Sequence, residues 1–217
     1  MTFKAEQLAS TLVIGSQYVD DVAGFVAQAV KAGVSMVILN EAQLTGVEKQ
    51  NLAEYIRDVT RAADVAFMIA DDVALAAAVE ADGVYVSDRH QVNDLTAQAQ
   101  AAGLYTGVSI NNRTELLEEE PAGLAFYSVS PVYPSRHVTE EAPIEHLAGL
   151  TTVVQNSDLP VVAMGGITVA RLKDIVRMGV YGAAAIDAFV DADDLVAAVA
   201  AFNDTFAGMT VDQALGN

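Results

Sequence analysis

The most informative absence in this sequence is cysteine, since its 217 residues contain none. Disulfide bonds, thiolate catalysis and zinc sites with cysteine ligands are therefore excluded. Positive charge is scarce as well, because 11 Lys and Arg stand against 29 Asp and Glu, for a net charge of −18. Such a surface repels phosphate backbones and anionic lipid headgroups, so we expect neither nucleic acid nor a membrane as a partner.

Long hydrophobic runs are also missing. Asp or Glu interrupts every apolar stretch before it reaches the length needed to span a bilayer. The opening residues, MTFKAEQLAS, lack the basic start and the apolar centre of a signal peptide. We therefore expect a cytoplasmic protein. With 53% hydrophobic residues, the chain can still bury a full core.

Short apolar runs alternate with longer amphipathic segments along the chain, which predicts parallel strands connected by helices. We predict one domain over residues 1–217, a (β/α)8 TIM barrel of the α/β class, with 207–217 as a C-terminal tail. The alternative is an open, doubly wound sheet. The predicted strands are 11–15, 35–39, 66–70, 83–86, 105–109, 125–130, 160–164 and 182–186.

In such a barrel, the functional residues follow the carboxyl ends of the strands. The sequence places mostly polar residues at these positions, and few bases among them. The carboxylates there are Glu41, Asp71, Asp72, Asp88 and Asp187, and the nearby bases are Arg89, Arg113 and Arg136. The mouth of the barrel is therefore predicted to be acidic.

A pair of glycines, Gly165 and Gly166, follows the seventh predicted strand in the segment PVVAMGGIT. Their unhindered N–H groups, before a helix expected to open at Thr168, suit an anion such as phosphate. The alternative is a tight turn that requires glycine without any ligand. Asp187, after the eighth strand, would repel a phosphate bound there unless a cation intervened.

Several segments, taken in order, carry a resemblance to a known family. They are FMIADDVALAAAVEADGVYV, GVSINNRTE, YSVSPVYPS, PVVAMGGIT and GAAAIDAFV. Together they resemble the thiamine-phosphate synthase/TenI family, from about residue 30 to residue 200. The resemblance implies the same barrel and an Mg²⁺-dependent enzyme that joins an aminopyrimidine diphosphate to a thiazole phosphate. Diphosphate leaves, a pyrimidine cation forms, and the thiazole nitrogen attacks it.

The resemblance also implies roles for individual residues. Asp71 corresponds to one metal-binding acid of the family. The family's second metal-binding acid aligns near His90, and Asp88 lies two residues before that position. Asp71 could instead cap the following helix, although Asp72 is better placed for that role. Ser109 matches a strand-five serine and Ser135 a loop hydroxyl, while the Gly-Gly turn matches the thiazole-phosphate site.

At other positions the chain departs from the family pattern. Asn40 and Ala42 stand where the family has Arg and Lys, and Val138 replaces a further Lys. His137 replaces a loop hydroxyl, and Asp187 replaces the strand-eight serine. Each lost charge-assisted contact to a diphosphate is worth about 1.5–3 kcal/mol. The resemblance therefore implies a synthase-like site that has lost much of its positive charge.

Arg136 is the side chain best placed to restore one cation. The catalytic candidates are Ser109, Arg136 and His137, the substrate- or phosphate-binding candidates are Asn40, Ser135, Gly165, Gly166 and Asp187, and the Mg²⁺ candidates are Asp71 and Asp88. The expected partner is a small, phosphorylated molecule, and we expect a homodimer. Three functions stay open: thiamine-phosphate synthesis, a related reaction on a less anionic substrate, and a non-catalytic binding barrel.

Overall fold

Eight parallel strands form a closed barrel in the computed structural model of this protein, which describes residues 3–136 and 146–207. The strands are β1 (Ser10–Ile14), β2 (Met36–Leu39), β3 (Ala66–Ala70), β4 (Gly83–Val86), β5 (Tyr105–Ile110), β6 (Leu124–Val129), β7 (Val161–Met164) and β8 (Gly182–Ala185). Each strand pairs with the next in sequence, and β8 returns to pair with β1. The predicted (β/α)8 barrel is confirmed, and the open sheet is wrong because it would leave β1 and β8 unpaired.

Every predicted strand end lies within one residue of the observed end. The helices are α1 (Val22–Ala32), α2 (Gly46–Ala62), α3 (Val73–Ala78), α4 (Val92–Ala101), α5 (His146–Val154), α6 (Leu172–Val176), α7 (Asp187–Val190) and α8 (Leu195–Phe206). None of those within the described ranges is long and apolar enough to cross a membrane. The predicted tail falls almost wholly outside the described residues, which end at position 207.

The strands read as continuous apolar runs because both faces of the sheet are buried. In β3, Phe67 and Ile69 pack outward against the helices. Ala66, Met68 and Ala70 alternate with them and face the barrel interior. This alternation follows from the period of two along a strand. The fold therefore has two hydrophobic cores, one inside the barrel and one between the barrel and the helices.

Aromatic side chains fill the amino-terminal end of the barrel. The ring of Phe3 lies 5.2 Å from the ring of Tyr105 and 5.8 Å from that of Phe126, between centroids. Gly107 makes this packing possible, because a Cβ at that position would overlap the ring of Phe126. Because side chains fill this end, the space for a ligand lies at the opposite end of the barrel, where the strands have their carboxyl ends.

Some of the surplus acids cap helices. Asp21 accepts a hydrogen bond from the N–H of Gly24 at the start of α1, and Asp194 does the same for Ala197 at the start of α8. At α3 the cap is Asp72, which accepts from the N–H of Leu75 at 2.9 Å. A carboxylate at a helix N-terminus is favoured by both the hydrogen bond and the helix dipole. Because Asp72 occupies this role, the capping alternative for its neighbour Asp71 is wrong.

A buried ion pair joins α2 to the start of β4. Both guanidinium Nη atoms of Arg57 donate to the carboxylate of Asp82, at 2.9 and 3.2 Å. The same carboxylate accepts from the backbone N–H of Phe67 at 2.9 Å. Only 10% of the Arg57 side chain and 2% of the Asp82 side chain are exposed. Removing one partner would leave a buried charge without compensation.

We expect Arg57→Met to lower the free energy of unfolding by about 3–5 kcal/mol, because Asp82 would stay buried without its cation. Arg61→Met is the matched control on the same helix. It breaks an ion pair with Glu80 whose side chains are 48% and 76% exposed, and it should cost at most about 1 kcal/mol. Urea unfolding of the two variants and the wild type measures the difference, and equal losses would contradict the expectation.

Candidate active site

A cavity of about 280 Å³ opens at the carboxyl ends of the strands. Six of the residues predicted for the site line it: Asn40, Ser109, Ser135, Gly165, Gly166 and Asp187. Asp71, Asp88 and Arg136 do not line it, and His137 lies outside the described residues. The structure therefore brings together the predicted substrate-binding residues and the catalytic candidate Ser109, while the predicted metal ligands and Arg136 are outside the lining.

Hydroxyl groups supply much of the polar part of the lining. Ser87, Ser109, Ser130 and Ser135 all contribute to it. Tyr85 also lines the cavity, and its hydroxyl lies 2.7 Å from the Oγ of a buried serine on β6. Among the described lining residues, Asp187 is the only one that carries a formal charge. The site is therefore rich in neutral hydrogen-bond donors and, over the described residues, has no cation in its wall.

The Gly-Gly turn has a structural reason of its own. Gly165 and Gly166 have φ of +86° and +59°, in the left-handed region that favours glycine. A Cβ on Gly165 would lie 2.7 Å from the Cα of Pro131, and one on Gly166 would lie 2.6 Å from the carbonyl oxygen of Tyr133. Positive φ and the close approach of the loop after β6 both require glycine here. The tight-turn alternative therefore accounts for the glycines.

The same turn also presents backbone donors to the cavity. Neither Gly165 nor Gly166 donates its N–H to another group within residues 3–136 and 146–207. Their carbonyls behave differently, since that of Gly165 accepts from the N–H of Tyr133 at 3.1 Å. Backbone N–H groups beside a cavity can donate to a bound anion. The turn and the phosphate interpretations are therefore compatible.

The helix expected to open at Thr168 begins differently. A 3₁₀ turn, Val169–Arg171, follows Thr168, and α6 starts only at Leu172. The Thr168 side chain makes no capping hydrogen bond. Instead, the guanidinium of Arg171 donates to the carbonyl of Gly166 and lies 4.2 Å from the centre of the Tyr133 ring. This cation–π contact stabilises the turn, and neither spacing nor composition predicts it.

Two contacts tie the loop after β6 to α7. Ser135 Oγ donates to Asp187 Oδ2 at 2.8 Å, and the guanidinium of Arg136 lies 2.6 Å from a carboxylate oxygen of Asp191. The Arg136 side chain is 79% exposed. Arg136 therefore meets an acid on the outer surface, and its predicted contact with substrate stays a prediction.

The predicted metal ligands are not part of the cavity lining, but both lie next to Ser87, which is. Asp71, with φ of +55°, accepts hydrogen bonds from the N–H of Ser87 at 2.8 Å and from its Oγ at 2.5 Å. Asp88 accepts from the N–H of His90, a hydrogen bond that lowers the pKa of Asp88. Over the described residues, no group of three His, Cys, Asp or Glu is close enough to hold a metal by itself. Mg²⁺ usually needs only one or two carboxylates besides substrate phosphates, and Asp71 fits that requirement.

Glu41, one of the predicted rim acids, is a structural residue. Its carboxylate accepts from the N–H of Ser16 at 2.9 Å and from its Oγ at 2.6 Å, and also from the N–H groups of Gln43 and Leu44. Burial raises the pKa of Glu41, but these four hydrogen bonds outweigh burial and leave the pKa below 4.5. The charged form of Glu41 therefore ties the loop after β1 to the loop after β2.

This assignment predicts a pH dependence of stability. Because folding lowers the pKa of Glu41 below 4.5, its contribution is present above pH 4.5 and is lost as the pH falls through the folded value. We expect Glu41→Gln to cost about 1–3 kcal/mol at pH 7, and we expect this cost to shrink in acid. Urea unfolding from pH 7 downward tests this, with the exposed Glu48→Gln as control. A pH-independent cost would contradict it.

The Gly-Gly turn gives a second prediction. In Gly166→Ala and Gly46→Ala, at φ of +59° and +55°, the left-handed conformation costs about 1–2 kcal/mol. Nothing lies within 4 Å of a Cβ at Gly46, whereas at Gly166 the Cβ meets the carbonyl of Tyr133 at 2.6 Å. We therefore expect Gly166→Ala to lower the free energy of urea unfolding by clearly more than Gly46→Ala. Equal losses would show that the loop yields without cost.

Known proteins share both the sequence pattern and the barrel. The chain is 33% identical to the thiamine-phosphate synthase of Lactiplantibacillus plantarum, over 93% of this chain and 95% of that protein. It is 31% identical to the enzyme of the same name from Levilactobacillus brevis, over 95% of this chain and 98% of that protein.

Solved structures show the same architecture. Thiamine phosphate pyrophosphorylase from Pyrococcus furiosus superposes with a TM-score of 0.78 at 24% identity, over 98% of this chain and 99% of that chain. A 3-hexulose-6-phosphate synthase superposes with a TM-score of 0.63 at 20% identity, over 91% of this chain and 100% of that chain. At these identities the superpositions establish the fold alone.

The sequence match to a family covers the whole cavity. Residues 10–189 match the family described as TMP-TENI, thiamine monophosphate synthase. This range starts at the first residue of β1 and ends within α7, so it includes all eight strands and every loop at the cavity mouth. The chain therefore belongs to the thiamine-phosphate synthase/TenI family, as the motifs in its sequence predict.

Proposed function

We propose that this chain catalyses the thiamine-phosphate synthase reaction, coupling an aminopyrimidine diphosphate to a thiazole phosphate with release of diphosphate. The observation that carries this proposal is the cavity at the carboxyl ends of the strands. It combines Ser109, Ser135 and the Gly-Gly turn, which resemble the family pattern, in one space of about 280 Å³. The named relatives that match most of the chain are thiamine-phosphate synthases, which favours this function over the two alternatives.

The reaction exchanges one bond for another. The bond between the pyrimidine methylene carbon and the diphosphate oxygen breaks, and diphosphate leaves with the electron pair. The lone pair of the thiazole nitrogen then forms the new carbon–nitrogen bond. No proton has to be removed in these steps, so the protein's main contribution is to hold both substrates in line and to stabilise the leaving diphosphate.

The lining residues suit this positioning role. The hydroxyls of Ser109, Ser130 and Ser135 can donate to substrate oxygens, and the N–H groups of Gly165 and Gly166 add two backbone donors. The Asn40 side chain contributes an amide at the opposite side of the mouth. Hydrogen bonds from neutral donors fixed by the fold stabilise developing negative charge without reorganisation.

Asp71 is the residue that would hold Mg²⁺, with Asp88 as a second ligand. A carboxylate offers about four acceptor sites, and Ser87 uses two of those on Asp71, so acceptor sites remain for a cation. When bound, Mg²⁺ supplies charge neutralisation to the diphosphate. Ser87 holds the Asp71 carboxylate and itself lines the cavity, so it fixes the ligand next to the space for substrate.

Two further roles are part of this proposal. Arg136 would approach the diphosphate by exchanging Asp191 for it, and His137 would supply a hydrogen bond from the same loop. We also propose that residues 1–217 form one domain acting in the cytoplasm as a homodimer on small phosphorylated molecules.

The test is coupling by the purified protein with aminopyrimidine diphosphate, Mg²⁺ and a thiazole phosphate. We expect the wild type to release diphosphate and form the coupled product. Asp71→Ala should lower kcat/KM by about a hundredfold or more, because the cation loses its ligand. Asp72→Ala, which loses a helix cap and an ion pair with Lys49, should keep the activity. A folded wild-type protein that does not couple the thiazole phosphate would refute the proposal.

A further inference from the structure

Apolar and polar side chains of the cavity lie on different parts of the barrel wall. Val13 is in β1, Ala184 is in β8 and Ile186 directly follows β8, and these two strands pair with each other. Ser87 directly follows β4, and Ser109 is in β5. Because the eight strands close in sequence order, β4 and β5 lie across the barrel from β8 and β1. Val13, Ala184 and Ile186 therefore form an apolar surface that suits the face of a flat ring.

Asn40 lies beside this apolar surface, because it directly follows β2, the neighbour of β1. Its backbone is fixed twice, since its N–H donates to the carbonyl of Ile14 at 2.8 Å and its carbonyl accepts from Nε2 of Gln17 at 2.6 Å. Asn40 lines the cavity, and its side chain makes no hydrogen bond with residues 3–136 or 146–207. Among the described lining residues, it supplies the only carboxamide. The donor and the acceptor of this amide are therefore both available to a ligand.

A carboxamide is complementary to an amino group attached next to a ring nitrogen. Its oxygen accepts from the amino group while its NH₂ donates to the ring nitrogen, as Asn and Gln do when they bind adenine. The aminopyrimidine of the proposed reaction carries this pair of groups. A diphosphate offers acceptors alone, so it would use only the NH₂, and the thiazole nitrogen has to stay free for bond formation. Among the groups that the reaction brings to the cavity, the amino edge of the pyrimidine therefore fits Asn40 best.

We propose that Asn40 is a specificity-determining residue whose carboxamide binds the amino group and the adjacent ring nitrogen of the aminopyrimidine, with the ring against the apolar surface. This inference rests on the proposed function, which supplies the aminopyrimidine as substrate. Asp71 follows β3, the neighbour of β2, and Ser87 follows β4. A pyrimidine held at Asn40 would therefore have these two residues on the adjoining strands for its diphosphate. Asn40 thus selects pyrimidines that carry the amino group.

The experiment compares kcat/KM for the aminopyrimidine diphosphate and for its counterpart with hydrogen in place of the amino group, each coupled to thiazole phosphate with Mg²⁺. We expect the wild type to prefer the amino compound. Asn40→Leu removes the amide at similar size and should reduce that preference by on the order of tenfold. Any effect of the amino group on the breaking bond itself is common to both proteins, so it cancels in this comparison. Asn51→Leu, the same change at an exposed position of α2, should leave the preference unchanged.

Calorimetric dissociation constants for the monophosphates of the same two pyrimidines, measured without the thiazole, separate this inference from the proposed function. If the wild type does not couple, the proposed function fails, while the ratio of these dissociation constants still decides the role of Asn40. No binding of the amino compound by the wild type, or an unchanged preference in Asn40→Leu, overturns the assignment. Weaker binding of inorganic diphosphate with Mg²⁺, together with that unchanged preference, would assign Asn40 to the diphosphate instead. Thermal melting confirms that each variant is folded, and Asn40→Ala serves if Asn40→Leu is not.

Discussion

The hydrogen-bonded pairing of β8 with β1 is the constraint on which the whole site depends. Leu12 on β1 lies opposite Ala185 on β8, and Ile14 lies opposite Leu39 on β2, so the ladder runs around the full circle. Because all strands are parallel, their carboxyl ends come to one rim, and residues far apart in sequence face one space. In an open sheet β1 and β8 would lie at separate positions, and Asp187 would not share a cavity with Asn40.

Most loops of the rim are tied to one another by polar contacts. Glu41 joins the first two loops, and Asp71 joins the third to Ser87 on the fourth. The Asn111 side chain donates to the carbonyl of Ser130 at 2.8 Å, which joins the fifth loop to the sixth. Ser135 then connects the sixth to the eighth through Asp187. Such contacts hold loop side chains in place at a rim where loops alone would be mobile.

The surplus acidic residues have several different roles in the fold. Some cap helices, as Asp72 does, and Glu41 and Asp82 accept several backbone or side-chain donors each inside the fold. Others, such as Glu48, lie exposed at helix starts. Asp187 differs from all of these because it faces the space for substrate. The net charge of −18 therefore says little about the site, whose described lining includes a single charged side chain.

The sequence by itself determined the eight strands and the position of the Gly-Gly turn, because strands buried on both faces read as apolar runs. It favoured a barrel over an open sheet, and the pairing of β8 with β1 decided between them. It also placed Asn40, Ser109 and Asp187 at the mouth, since each directly follows or ends a strand. Only the tertiary structure decided which rim residues face the cavity. Ser135 meets Asp187 across 52 residues of sequence, and Arg171 covers Tyr133 from another loop. Contacts between distant loops depend on side-chain directions and three-dimensional distances, and local sequence patterns encode neither.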